Sequence, residues 1–270
     1  MDPRIKEVRL NASMKALDSI YKKDLIPDQV YENLKKLLDL RKPLAFESGR
    51  FKENGLDELL NFLSNTDVEN DKPKAIVAFS GGVDSTASAT ISKKIFDVTG
   101  VTAFSDYIMV EENKKRVKNT ADALKIKHEF VEIDLSEIFE DVIAGKYHPC
   151  GRCHSAVERS ILEYAANNDI KYIIYGDMLS VGYLSIVAEE NGIIRINMPS
   201  FLVLTKNESR ELLRKSGIEI KQSYGCKLLK KSHNHKQMRK FTIQRILREV
   251  RAQVIDKDEG LRNILEVLNL

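Results

Sequence analysis

The chain has no tryptophan, only three cysteines and only six prolines in 270 residues. No stretch approaches the roughly 20 consecutive apolar residues that a bilayer crossing requires, so no membrane partner is expected. The opening Met1-Asp2-Pro3-Arg4 lacks the charged-then-apolar layout of a secretory signal. An intracellular, cytoplasmic and reducing compartment is expected, in which the cysteines are not structural disulfides. Neither sign of charge dominates: the net charge of +3 excludes a strongly polarised chain and by itself names no partner. No internal repeat and no low-complexity tract is visible. What is there, 43% hydrophobic and 31% charged residues, is the composition of a globular protein of one or two domains with a sizeable core.

The sharpest local feature follows the apolar run Ala75-Ile76-Val77-Ala78-Phe79. A short β-branched run reads as a buried strand. Ser80-Gly81-Gly82-Val83-Asp84-Ser85 comes next. Two glycines permit a tight turn and a close approach of backbone N–H groups to a ligand. The following residues, from Ser85 to Ile91, read as the first turns of a helix. Strand, glycine turn and helix N-terminus together form an anion site, because free N–H donors and the helix dipole both favour negative charge. No Gly-Lys-Ser/Thr follows, so this is not a Walker A loop. The structural alternative is an ordinary strand–turn–helix junction.

Along the chain, residues 1–70 read as helical, with Val30, Leu34, Leu37 and Leu38 at helical spacing and a helix over Leu56–Leu63. The polar stretch Asn65–Lys74, containing Pro73, reads as a linker and marks a domain boundary. A nucleotide-binding domain over 71–225 and a basic helical region over 226–270 complete the division. Within the central part, strands at Ala75–Phe79, Val101–Phe104, His128–Ile133 and Tyr172–Tyr175 alternate with helices at Ser85–Phe96, Glu111–Leu124 and Ala156–Asn167. Such alternation implies an α/β fold of parallel βαβ units, with ligands at the carboxyl ends of the strands. Gly176-Asp177 follows one strand, and Phe104-Ser105-Asp106 follows another, so both are placed near the glycine loop.

The second feature is Pro149-Cys150-Gly151-Arg152-Cys153-His154, together with Cys226 in Tyr224-Gly225-Cys226-Lys227. A Cys-x-x-Cys turn aims two thiols at one metal or at each other. It precedes a helix whose N-terminus is expected to lower the thiol pKa values. Four readings stay open. One is an iron–sulfur cluster on three cysteines, leaving one iron without a protein ligand. Another is zinc, completed by His148 or His154. A third is a persulfide relay, and the fourth is a chance pair with Cys226 as a small packed residue.

Taken together, the loop and the later cysteines resemble the PP-loop ATP pyrophosphatase superfamily, in particular its sulfur-transferring branch. That branch includes tRNA 2-thiocytidine and 2-thiouridine synthetases, 4-thiouridine synthetases and the sulfur insertases of nickel-pincer cofactor synthesis. The resemblance covers about residues 74 to 230. It implies a Rossmann-like adenine nucleotide α-hydrolase core, a parallel-sheet fold. It also implies ATP and Mg²⁺ at Ala78, Phe79, Ser80, Gly81, Gly82, Val83, Asp84 and Ser85, with Phe104, Ser105, Gly176 and Asp177 nearby. In those relatives three cysteines, here Cys150, Cys153 and Cys226, hold a 4Fe-4S cluster beside the nucleotide. The implied chemistry is adenylation of a substrate carbonyl oxygen, release of pyrophosphate, insertion of sulfur and loss of AMP. Inorganic sulfide or a persulfide carrier would supply the sulfur. Val83 followed by Asp84-Ser85-Thr86 is also close to the nickel-pincer sulfur insertases and to ammonia-using amidating enzymes. A non-catalytic nucleotide-binding module with structural zinc is the reading from a different class. Asp84 is expected to orient the loop or hold Mg²⁺, or else to cap the helix; Asp177 to bind ribose, metal or substrate, or else to form a strand-end turn.

From Gln222 onward the chain turns basic. Nine residues (Lys227, Lys230, Lys231, Lys236, Arg239, Lys240, Arg245, Arg248 and Arg251) stand against the single acid Glu249. On a helical wheel Ile243, Ile246, Leu247, Val250 and Val254 share one apolar face, opposite Arg245, Arg248 and Arg251. This excess makes RNA an expected partner, and the resemblance implies that the RNA is tRNA. His233 and His235 read as polar surface residues, and Lys206 and Arg210 as ordinary helix-surface charges. An isologous homodimer is a further expectation.

Overall fold

The protein is described by a computed structural model over residues 1–42, 46–47, 50–51, 55–64, 71–220 and 224–269. The expected linker and domain boundary fall mostly on residues 65–70, outside the described residues. In chain order the first elements are α1 (Pro3–Tyr21), α2 (Asp28–Arg41), β1 (Phe46–Glu47), β2 (Arg50–Phe51) and α3 (Gly55–Ser64). The central part runs β3 (Lys74–Ala78), α4 (Val83–Ser92), β4 (Asp97–Phe104), α5 (Glu111–Leu124), β5 (Lys127–Glu132), α6 (Ser136–Ile143), α7 (Cys150–Asn167) and β6 (Tyr172–Tyr175). A 3-10 turn (Gly182–Leu184) leads to β7 (Ile186–Ala188), β8 (Ile194–Asn197), α8 (Met198–Phe201) and α9 (Lys206–Lys215). The chain closes with α10 (Lys227–Ser232), α11 (Lys236–Arg251) and α12 (Lys257–Leu268).

The architecture is α/β. Six strands form one sheet in the order β5-β4-β3-β6-β8-β7. Every pairing is parallel except β7 with β8. The strand order reverses between β3 and β6, and in an open α/β sheet that switch point is where ligands sit. The glycine loop follows β3 and Gly176-Asp177 follows β6, so both flank it.

Strand side chains alternate between two faces. Ala75 and Val77 of β3, with Tyr172 and Ile174 of β6, enter a large core shared with α1, α2, α4, α5 and α9. Ile76 and Ile173 point the other way, onto Ile161 and Ala165 of α7. Each such aliphatic side chain, once removed from water, contributes about 1.5–3 kcal/mol. The N-terminal helices share the first core: Leu10, Leu17, Leu34 and Leu37 are fully buried in it. Helix α1 also reaches the sheet edge, where Ser13 Oγ lies 3.1 Å from Ser185 Oγ.

Of the six strands of this sheet, sequence reasoning finds four and misses β7 and β8; it also misses the short pair β1 and β2. Strands β7 and β8 are three and four residues long around the turn at Gly192, whose φ is +82°. Runs that short carry no usable period. It also places the Cys-x-x-Cys before a helix, whereas Cys150 and Cys153 form the first turn of α7 itself. Leu247, assigned to the apolar face of α11, is 51% exposed.

Candidate active site

The loop after β3 is held by its own hydroxyls. Ser80 N donates to Ser85 Oγ at 3.2 Å, and Ser85 Oγ donates to the Gly82 carbonyl at 3.2 Å. Gly82 N donates to Ser80 Oγ at 3.4 Å. Gly81 has φ +65°, and a Cβ there would stand 2.9 Å from Val117 Cγ2, so only glycine suits both backbone and space. Gly82 is the N-cap of α4 and no side chain caps this end. The positive end of the α4 dipole therefore meets the loop without a side-chain cap, a setting that favours an anion. A Cβ on Gly176 would lie 2.9 Å from Ser85 N; the bare backbone lets β6 approach the helix start.

Asp84 does not cap the helix. Its Oδ2 accepts from Lys206 Nζ at 2.6 Å, while Oδ1 is buried without a hydrogen-bond partner. An orphaned carboxylate oxygen beside a phosphate-type loop fits a hard cation such as Mg²⁺. Lys206 is thus not a plain surface charge. It opens α9 directly after the cap Thr205, whose hydroxyl accepts from Glu208 N while Glu208 bonds back to Thr205 N. The Thr205-x-x-Glu208 capping box is readable in the sequence; the destination of the Lys206 side chain is not. Arg210 is likewise engaged, forming a two-pronged pair with Glu259 of α12 at 2.6 and 2.8 Å.

The other expected residues take varied places. Phe79 is a core residue, its carbonyl taking the Thr102 hydroxyl. The Phe104 ring lies under Lys114, whose Nζ is 3.2 Å from the ring centre. Ser105 is buried, and its carbonyl accepts from Ile108 and Met109. Asp177 forms a strand-end turn, accepting from Leu179 N at 2.9 Å and from the Ser180 hydroxyl.

The three cysteines lie near enough to influence one another electrostatically. Cys226, exposed, caps α10 by accepting from Leu229 N at 3.5 Å. Its charge acts on both Cys150 and Cys153. Burial raises the Cys150 thiol, with the Arg245 charge and hydrogen bond working against it. Burial pushes Cys153 up to about 12, helped by the other two cysteines. Helix α7 therefore does not lower these thiols: desolvation outweighs its dipole. Three thiols suit a soft metal or an iron–sulfur centre in chemistry. Among the described residues, however, no three His, Cys, Asp or Glu side chains are gathered closely enough to bind a metal ion.

The histidines weighed for zinc are placed differently. His148 Nε2 lies 2.9 Å from Thr242 Oγ1, and His233 Nε2 also lies 2.9 Å from it. This joins the cysteine turn, α10 and α11 on one buried hydroxyl, and His233 is not a surface residue. His235 Nε2 meets the Ile143 carbonyl at 2.9 Å. His154 feels the Asp177, Arg195 and Arg245 charges, with burial lowering its pKa.

Two groups of α11 link the loop to the thiols. Arg245 hydrogen-bonds Cys150 and lies 3.3 Å from Glu249. Burial raises the Glu249 carboxyl; Arg245 and Lys206 oppose this and Asp84 adds to it. Tyr224 is raised by burial and by Glu249 and lies near Cys150, its hydroxyl buried without a partner. Electrostatic influence therefore runs from the Asp84–Lys206 pair through Glu249 and Arg245 to Cys150. Arg245 is exposed, as its place among the charges of the basic tail implied; what sequence reasoning missed is its influence on Cys150, and it gave Glu249 and Tyr224 no role.

Residues 73–178 match a family of unknown function, DUF7411. The uncharacterized protein MJ1638 of Methanocaldococcus jannaschii is 44% identical over 269 residues, covering 100% of this chain and 95% of that protein. The chain belongs to the MJ1638 family. Beyond it, tRNA-specific 2-thiouridylase MnmA of Lactobacillus delbrueckii subsp. bulgaricus is 28% identical over 149 residues, 49% of this chain and 38% of that protein. The structure of NMN synthetase from Francisella tularensis aligns with a TM-score of 0.45 at 15% identity, covering 79% of this chain and 91% of that one. In this MJ1638-family chain no described helix is long and apolar enough to cross a membrane.

Proposed function

We propose that this chain is an ATP-dependent sulfurtransferase whose acceptor is tRNA. The observation that carries the reading is the electrostatic coupling that runs from the Asp84–Lys206 ion pair through Glu249 and its partner Arg245 to Cys150. It supports a reading in which the anion site and the three thiols serve one reaction. The similarity to MnmA, which is named for tRNA 2-thiolation, supports the same reaction class. The basic outer face of α11, with exposed Lys240, Phe241, Arg248 and Arg251, supports an RNA partner.

A carbonyl oxygen of the acceptor base attacks the α-phosphorus of ATP, and the bond to the β-phosphate oxygen breaks. The amides at the start of α4 and Lys206 take the charge that develops on departing pyrophosphate. Asp84 holds Lys206 and offers Oδ1 to Mg²⁺. A hydrosulfide ion then attacks the activated carbon, and AMP leaves with the original oxygen, so no electrons are exchanged. With a persulfide carrier instead, its terminal sulfur attacks the carbon as AMP leaves, and a thiol then takes the carrier sulfur as a disulfide, releasing the thiolated base. Cys150, Cys153 and Cys226 would hold a 4Fe-4S cluster, which supplies an iron open to sulfur; zinc on the same thiols is the competing occupant. Arg245 neutralises charge at Cys150 and keeps the thiol side electrostatically tied to the nucleotide side.

The test is iron, zinc and acid-labile sulfide content of anaerobically purified protein, followed by tRNA thiolation with ATP and sulfide. About four irons and four sulfides per chain, with AMP, pyrophosphate and thiolated tRNA as products, are expected. Zinc without sulfide, or turnover unchanged in all three Cys→Ala variants, would sink the reading and favour an amidating enzyme or a zinc-stabilised nucleotide-binding module.

A further inference from the structure

Arg41, at the end of α2, has a side chain with no exposed surface. An arginine is almost never fully buried without partners, and these partners lie on the far side of the sequence. Its Nε donates to the Leu202 carbonyl at 3.0 Å and its Nη2 to the Val203 carbonyl at 3.3 Å. The same Nη2 donates to Glu208 Oε1 at 2.8 Å. Val203 has φ +52°, a left-handed conformation that is a true outlier for a β-branched residue and persists only where neighbours impose it. Lys6 of α1 reaches Glu208 Oε1 from another side at 3.4 Å. The other carboxylate oxygen of Glu208 closes the capping box on Thr205 N at 2.8 Å. The next residue is Lys206, whose ammonium sits on Asp84.

We propose that Arg41 is a positioning residue for the loop site: through Glu208 and the strained turn at Val203 it fixes the first turn of α9 and so holds Lys206 on Asp84. The N-terminal helices thereby act on the nucleotide end of the sheet, a role that neither their sequence nor any relative assigns. The inference rests on the reading of residues 80–85 as a phosphate loop only for its consequence in binding. The mechanical coupling can be read without a ligand.

Two measurements test it. In ligand-free protein, hydrogen–deuterium exchange over 203–209 and 80–88 should rise in R41M and E208Q while the sheet keeps wild-type protection. E208Q keeps side-chain size and serves if R41M does not fold. In calorimetric titrations with MgATP and with inorganic pyrophosphate, R41M or E208Q should weaken binding about tenfold in the wild-type background. In the K206M background the same changes should cost less than twofold, because they act through Lys206. Equal losses in both backgrounds, or unchanged exchange at 203–209, would overturn the proposal. Wild-type protein that binds neither probe would defeat the nucleotide reading instead, and the exchange result would still decide whether Arg41 holds α9 on α4.

Discussion

Lys206 Nζ stands 2.6 Å from Oδ2 of Asp84, across 122 residues of sequence. Both side chains are partly buried, at 18% and 26% exposure, at the point where the α4 dipole is most positive. A lysine beside such a terminus adds repulsion unless an anion is expected, and Asp84 supplies one negative charge until a ligand brings more. K206M is expected to cost at most about 1 kcal/mol of stability, as for a partly exposed pair, yet to weaken MgATP and pyrophosphate binding at least tenfold. Calorimetric titration beside a thermal melt checks both. Unchanged affinity would return Lys206 to the helix surface.

Much of this was legible in the sequence. β3 and β6 carry continuous β-branched runs, and the glycines after β3 have one physical use, so fold class and loop follow from short-range pattern alone. What could not be read is where long charged side chains end. Lys206, Arg245 and Glu249 sit on helices with ordinary polar spacing, and Arg41 closes a helix as any basic C-terminal residue does. Their destinations are set by contacts 4 to 167 residues away. The thiols were misjudged for the same reason: helix position is local, whereas the burial that raises Cys150 and Cys153 is tertiary.

Gly176 gives a steric test. A Cβ would meet Ser85 N at 2.9 Å and the Asp84 carbonyl carbon at 3.0 Å, both backbone atoms that cannot rotate away. G176A must push β6 from α4 and is expected to cost about 1–3 kcal/mol, as overpacking does. Nucleotide binding should fall further than stability, because the displaced amides are those offered to phosphate. Denaturant melts and binding titrations on one preparation separate the two effects.

Glu208 fixes the acid limb of stability. Burial works against its ionisation, but the Arg41 and Lys6 charges and the Thr205 amide hold the carboxyl down at about 2, against 4.5 for a free side chain. A depressed acid stabilises the fold fully above its unfolded value and loses that contribution as pH falls through its folded one. About 3 kcal/mol is therefore expected to disappear between pH 4.5 and about 2. E208Q should be less stable at pH 7 and show a flatter acid limb. An identical limb in both proteins would mean that other carboxylates control it.

Thiol reactivity should follow exposure. Cys226 is exposed, whereas Cys153 is half-buried and desolvation pushes its thiol up to about 12. In metal-free, reduced protein at pH 8, iodoacetamide is expected to modify Cys226 first and Cys153 last, since only the thiolate attacks. Mass spectrometry of quenched digests gives the order. Reconstitution with iron and sulfide should protect all three together if they bind one centre; protection of Cys150 and Cys153 without Cys226 would remove Cys226 from it.

The outer face of α11 separates RNA binding from simple solvation. Lys240, Arg248 and Arg251 are exposed there beside Phe241, which is 43% exposed, while the only acid of the stretch, Glu249, is taken by Arg245. Phosphate contacts release counterions, so each one adds somewhat less than one unit to the slope of log affinity against log salt. The triple variant K240A/R248A/R251A is expected to lower the tRNA slope by about 2. Phe241 works differently: an aromatic platform carries no charge, and F241A should weaken binding by about 1–3 kcal/mol with the slope unchanged. A slope that ignores the triple variant would place the RNA elsewhere, and flat binding across salt would remove it as the acceptor.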